Sequence, residues 1–114
     1  MIKMTIYALS SGPGMSGVAI VRISGNEASD VIKSLTGKEI PKPRVATLRK
    51  INNINTSELI DEGLIIWFPG PESYTGEDMA EIHVHGGKAV ILAVQKEISK
   101  NKNCRLAEPG EFTK

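Results

Sequence analysis

The strongest constraint on the fold lies where residues 18–24, VAIVRIS, give way to SGNEASDVIKSLTG. The first stretch is β-branched and almost wholly apolar, which predicts a central strand. The second changes period. Ser24 followed three residues later by Glu27 reads as a capping box, and Ala28, Val31, Ile32 and Leu35 then recur at the i, i+3, i+4, i+7 spacing of one buried helical face. Gly37 falls where a helix end commonly needs positive φ. A buried strand feeding directly into an amphipathic helix excludes an all-helical or all-β chain.

The remaining pattern fills in the layers. Residues 3–9 alternate loosely and predict a first strand; 45–51 predict a third, 63–68 a buried fourth and 79–85 a fifth. Val90, Ile91, Val94 and Ile98 mark a second helical face, and CRLAE a short last strand. Pro41 and Pro43 stiffen one connection, and NNINTSE reads as a turn. Strands and helices mix without a strict β-α-β-α rhythm, so the expected class is α+β, two layers with helices on a mixed sheet. The length of 114 residues fits a single domain over residues 1–114. The closing PGEFTK reads as a turn leading into a further helix, the expectation for a fragment of a longer protein.

Charge and composition narrow the function classes. A net charge of +1, scattered Lys and Arg and five aromatics (one Trp, two Tyr, two Phe) give no basic stripe of the kind a nucleic-acid module carries. Cys104 is the sole cysteine, so neither an internal disulfide nor a CxxC site can form. The apolar run at the N-terminus is too short for a signal peptide, and no stretch reaches the roughly 20 apolar residues of a membrane span. The default expectation is a cytoplasmic protein without membrane contact.

Three motifs invite chemistry. Gly12, Gly14 and Gly17 match GxGxxG, but pyrophosphate binding requires a helix to open directly behind the glycines, and VAIVRIS is a strand. Val18 and Ala19 stand where a phosphate loop needs Lys and Ser or Thr. Glu81, His83 and His85 alternate along a strand and so share a face opposite Ala80, Ile82 and Val84. A metal is disfavoured, because alternate side chains on a strand stand about 7 Å apart; a polar face receiving a second subunit or an organic ligand fits better. Arg22 interrupts an apolar strand, where a charge requires a partner. It is either a salt bridge, with Glu81 the obvious candidate, or an anchor for a carboxylate. The segment PGPESYTGED reads as a polar loop.

Taken together, VRISG (21–25), FPGPESYTGED (68–78), EIHVHGG (81–87) and RLAEPGEFTK (105–114) resemble the N-terminal domain of the MnmE/TrmE family of tRNA modification GTPases, and the resemblance covers nearly the whole chain. It implies a fold akin to the tetrahydrofolate-binding domain of the aminomethyltransferases, a homodimer formed through this domain, and a pocket for a 5-formyl- or methylene-tetrahydrofolate. Two family folate contacts fall within the chain, at Arg22 and Glu81; a family lysine a little beyond GEFTK does not. The implied role of the full protein, with an MnmG-type partner, is one-carbon modification of the wobble uridine of tRNA. Its GTP, Mg and K belong to a separate GTPase domain, so this chain alone is expected to be inactive.

Two departures qualify the resemblance. Met15 stands where the first loop of the family usually has arginine, and Val84 where it has glycine, which narrows the space above the strand. Cys104 lies on a different element from the family's C-terminal catalytic cysteine and is no substitute for it. The rival readings are a pure dimerisation scaffold with an incomplete folate site and a folate-dependent aminomethyltransferase domain.

Overall fold

Among the described residues, six strands and two helices form in the order β1 (Thr5–Leu9), β2 (Val18–Ser24), α1 (Ala28–Thr36), β3 (Thr47–Asn52), β4 (Leu59–Phe68), β5 (Met79–His85), α2 (Lys88–Ser99) and β6 (Cys104–Leu106), followed by a 3₁₀ turn at Glu111–Thr113. The computed structural model describes residues 3–10 and 17–113. The strands make one mixed sheet in the order β3-β4-β5-β2-β1-β6. All neighbours are antiparallel except β1 and β6, which run parallel. The class is α+β, and β2 is central as its composition requires.

Both helices cover one face of the sheet. Ala19, Val21 and Ile23 of β2, Ala80, Ile82 and Val84 of β5, and Ile65 and Trp67 of β4 point to that side. They meet Ala28, Val31, Ile32 and Leu35 of α1 and Val94 and Ile98 of α2 in a single core. The period-2 residues of the strands and the period-3.6 residues of the helices thus bury the same surface. The opposite face carries Ile20 and Arg22 of β2, Glu81 and His83 of β5, and Leu48 and Leu64 of β3 and β4, aligned across the ladder by register.

Helix α1 starts differently from the sequence expectation. Its N-cap is Glu27, with no side-chain cap bond, and Ser24 is the last residue of β2. The Ser24 hydroxyl is taken instead by Thr75 Oγ1 at 2.7 Å and Glu77 Oε1 at 3.1 Å, so the capping box does not form. The Glu27 amide donates to Thr5 Oγ1 at 2.9 Å. Gly25 makes the turn between strand and helix at φ 139°, where a Cβ would stand 2.5 Å from Thr5 Oγ1. At the other end Gly37 adopts φ 69° as a left-handed cap, as expected.

Other expectations also shift: β1 starts at Thr5, β3 spans Thr47–Asn52 and β6 ends at Leu106. Strand β4 begins at Leu59, four residues before the expected 63, because Leu59–Glu62 extend a hairpin with β3. The segment 69–78 is anchored rather than freely solvated: Gly70 N donates to Asp78 Oδ1 at 2.9 Å, Ser73 Oγ to the Glu77 carbonyl, and Lys3 pairs with Glu77 at 2.7 Å. Most of the first glycine loop, including Gly12, Gly14 and Met15, lies outside the described residues. Gly17 does lead into a strand, so the context a dinucleotide site requires is missing.

Candidate functional site

Arg22 and Glu81 face each other directly in the β2–β5 ladder. Arg22 Nε donates to Glu81 Oε2 at 3.0 Å. The other carboxylate oxygen, Oε1, accepts from His83 Nε2 at 2.9 Å. Both ends of Glu81 are therefore occupied by protein donors, in a setting where its side chain is only 13% exposed. A buried carboxylate satisfied on both oxygens is the condition under which such a charge is tolerated. Alternate strand positions stand about 7 Å apart, but the long Glu81 side chain leans along the strand far enough for His83 to reach it.

The guanidinium is only partly used by this pair. Its amino nitrogens make no hydrogen bond to the described residues, and the ring of Tyr74 stacks over Cζ at 5.7 Å. Tyr74 comes from the segment 69–78, which is held to the end of β2 through Ser24. Its approach to Arg22, with the residue still 66% exposed, was not legible in the polar loop composition.

Arg22 lines a cavity of about 390 Å³ between the end of β1, β2 at Arg22 and the turn after β6; Ala8, Leu9, Pro109 and Phe112 supply apolar walls, and Glu108 and Glu111 also line it. The far wall is fixed by Arg105, whose two amino groups clasp Glu111 at 2.7 and 2.5 Å, and by the Ala107 amide bonded to the Tyr7 carbonyl at 2.8 Å. Glu81 does not line this cavity. It reaches the site through Arg22, so the two expected site residues meet while only one faces the space.

His85 goes elsewhere. Its Nδ1 and its backbone amide both bond Asp61 on β4, at 2.9 Å each. Burial pushes the Asp61 carboxyl up, but these bonds outweigh it and hold it below its ordinary value. No group of three or more His, Cys, Asp or Glu among the described residues is placed to hold a metal ion. Val84 points into the helix-side core beside Gly63, so its side chain lies away from the face of Glu81 and His83. Burial, with Glu27 nearby, pushes the Cys104 thiol up to about 11, leaving it protonated and a poor nucleophile at neutral pH.

A second hollow, of about 260 Å³, lies on the same open face, ringed by Val18, Leu48, Leu64, His83 and His85. Val18 is 49% exposed and Leu48 58%, an apolar patch on a sheet face that neither α1 nor α2 covers. No helix among the described residues is long and apolar enough to cross a membrane.

A mixed sheet with helices on one face and a part-buried Arg–Glu pair on the other defines a two-layer α+β domain, and the chain belongs to a known family: residues 5–114 match the one described as GTP-binding protein TrmE N-terminus. Among its relatives are the tRNA modification GTPase MnmE of Pelagibacter ubique, 74% identical over 97% of this chain, and that of Zymomonas mobilis, 49% identical over 96%. A third is the mitochondrial 5-taurinomethyluridine-[tRNA] synthase subunit GTPB3 of Danio rerio, 51% identical over 96%. The chain spans only 25%, 25% and 22% of these three relatives, about a quarter of their length.

Proposed function

We propose that this domain binds a one-carbon tetrahydrofolate, 5-formyl or methylene, and pairs with a second copy of itself, as the N-terminal part of a cytoplasmic tRNA modification GTPase. The observation that carries the reading is the state of Arg22. Its Nε is bound to Glu81 while its amino nitrogens make no hydrogen bond to the described residues, and Arg22 lines a cavity with apolar sides. A guanidinium held at one edge and open at the other suits a planar carbonyl or carboxylate acceptor. A volume of about 390 Å³ is at the low end for small-molecule sites, room for part of a folate with the rest extending outward. When bound, the folate would supply the one-carbon unit. The chain's own contribution is to bind and orient it: Arg22 holds the acceptor, Phe112 and Pro109 shield it, and Glu81 keeps Arg22 in place.

The exposed Val18, Leu48 and Leu64 on the open sheet face support the pairing. The same reading includes a likeness to the tetrahydrofolate-binding domain of the aminomethyltransferases, for which helices on one face of a mixed sheet are the support. In the full protein an MnmG-type partner and tRNA would act with domains beyond this one. Calorimetric titration of the chain with 5-formyltetrahydrofolate tests the site, and sedimentation tests the pairing. Saturable binding by a dimer is expected. A dimer that ignores the ligand would leave a pure dimerisation scaffold, and a monomer would overturn the pairing.

A further inference from the structure

The contact between His83 and Glu81 has a geometry that a simple core hydrogen bond does not require. A carboxylate only accepts hydrogen bonds, so the His83 Nε2 at 2.9 Å carries the proton. With His83 on Oε1 and Arg22 Nε on Oε2 at 3.0 Å, both oxygens of Glu81 are pinned and its plane cannot rotate. A fixed carboxylate in turn fixes the plane of the guanidinium it holds, because the Nε–H bond is directional. Arg22 lines the cavity beside Ala8 and Phe112, so the plane of its guanidinium bears on what that cavity can hold. His83 itself does not line that cavity; its side chain is 21% exposed and borders the separate hollow next to Leu48 and Leu64.

We propose that His83 is a positioning residue for the Arg22 site: it locks Glu81, and Glu81 locks the guanidinium edge that meets the ligand. The inference rests on the folate reading only for the identity of that ligand. The order of the relay is His83 to Glu81 to Arg22, across β5 and then across the ladder to β2. Without His83, Oε1 loses its donor and the carboxylate can turn, so the guanidinium loses its preferred plane before any ligand arrives.

The test uses His83→Leu, which removes the donor at similar bulk, and His83→Gln, whose amide can still donate to Glu81. The first readout is the Arg22 Nε–H resonance in a proton–nitrogen spectrum of the free chain. It should be distinct and slowly exchanging in the parent and H83Q, and merged with the mobile arginines in H83L. The second is affinity for 5-formyltetrahydrofolate, expected to fall at least about tenfold in H83L and to stay within about threefold in H83Q, the size of one charge-assisted hydrogen bond. Unfolding midpoints report whether each variant is folded; should H83L not fold, His83→Asn, too short to reach Glu81, replaces it. If the parent binds no folate but its Arg22 resonance depends on His83 as described, the folate reading fails and the positioning role stands. If H83L leaves the Arg22 resonance unchanged, or H83Q loses as much as H83L, the positioning role is overturned.

Discussion

The carboxylate of Glu97 on α2 accepts the backbone N–H of Ile54 at 2.8 Å, tying the helix to the turn between β3 and β4. The same oxygen takes Lys100 Nζ at 2.8 Å, and Glu97 is only 2% exposed. An acidic residue is thus built into the helix-side layer because a distant amide needs an acceptor. Replacing it by alanine leaves that amide without its acceptor and the Lys100 ammonium with Asn55 Oδ1 at 2.7 Å but no counter-charge. Glu97→Ala should destabilise the chain by about 2–3 kcal/mol and Glu97→Gln, which keeps an acceptor, by about half as much. Urea denaturation of the three proteins measures both.

The same contact sets an acid limit. Burial raises the Glu97 carboxyl, but the bonds from Lys100 and Ile54 outweigh it, so it titrates below its ordinary 4.5. A group whose folded value is depressed stabilises the fold above its unfolded value, and the contribution disappears as pH falls through the folded one. Asp61, depressed by its bonds to His85, acts in the same sense. The melting temperature should therefore change little from pH 7 to about 5 and fall below about 4.5. In Glu97→Gln that acid limb should be shallower; an equally steep fall would show that other carboxylates govern it.

Gly63 is required by contact, not by a turn. A Cβ built there would stand 2.1 Å from the His83 carbonyl oxygen, a backbone atom that cannot swing aside. Alanine would force β4 and β5 apart at the pair next to His83. Gly63→Ala should cost about 2–4 kcal/mol by the urea midpoint, and the amide shifts it causes should concentrate on β5 around Glu81 and His83. Shifts spread evenly over the sheet would argue against a local clash.

Much of this architecture was legible because it is local or periodic. The buried face Ala28, Val31, Ile32 and Leu35 follows from spacing alone, and β2 and β5 have the bounds their apolar alternation gives. What escaped depends on partners far along the chain. The Ser24 hydroxyl could not be assigned to Thr75 and Glu77 without knowing that 69–78 folds back onto β2. The start of β4 was hidden because Asp61 and Glu62 look like loop residues, yet Glu62 lies exposed on the hairpin arm and Asp61 is held by the amide and Nδ1 of His85. Glu97 reads as a solvent-side residue until Ile54 arrives. At the site, Arg22 opposite Glu81 could be inferred from a charge inside an apolar strand. The lock by His83 could not, since alternation says only that the two residues share a face.

Arg22 can be separated from its structural role by substitution with lysine. Lysine keeps a positive charge beside Glu81, whose side chain is 13% exposed and would otherwise be left with His83 alone. It cannot, however, bond Glu81 through one nitrogen while presenting two others to the cavity, because an ammonium is a single point of charge. Arg22→Lys should therefore lower stability by no more than about 1 kcal/mol, yet weaken 5-formyltetrahydrofolate about 10- to 100-fold by losing a two-pronged contact. Arg22→Ala would mix the two effects, since it strands Glu81 as well as emptying the wall. Paired calorimetric titrations and unfolding curves of R22K distinguish them. Affinity retained in R22K would mean that charge alone, not the fork of the guanidinium, meets the ligand.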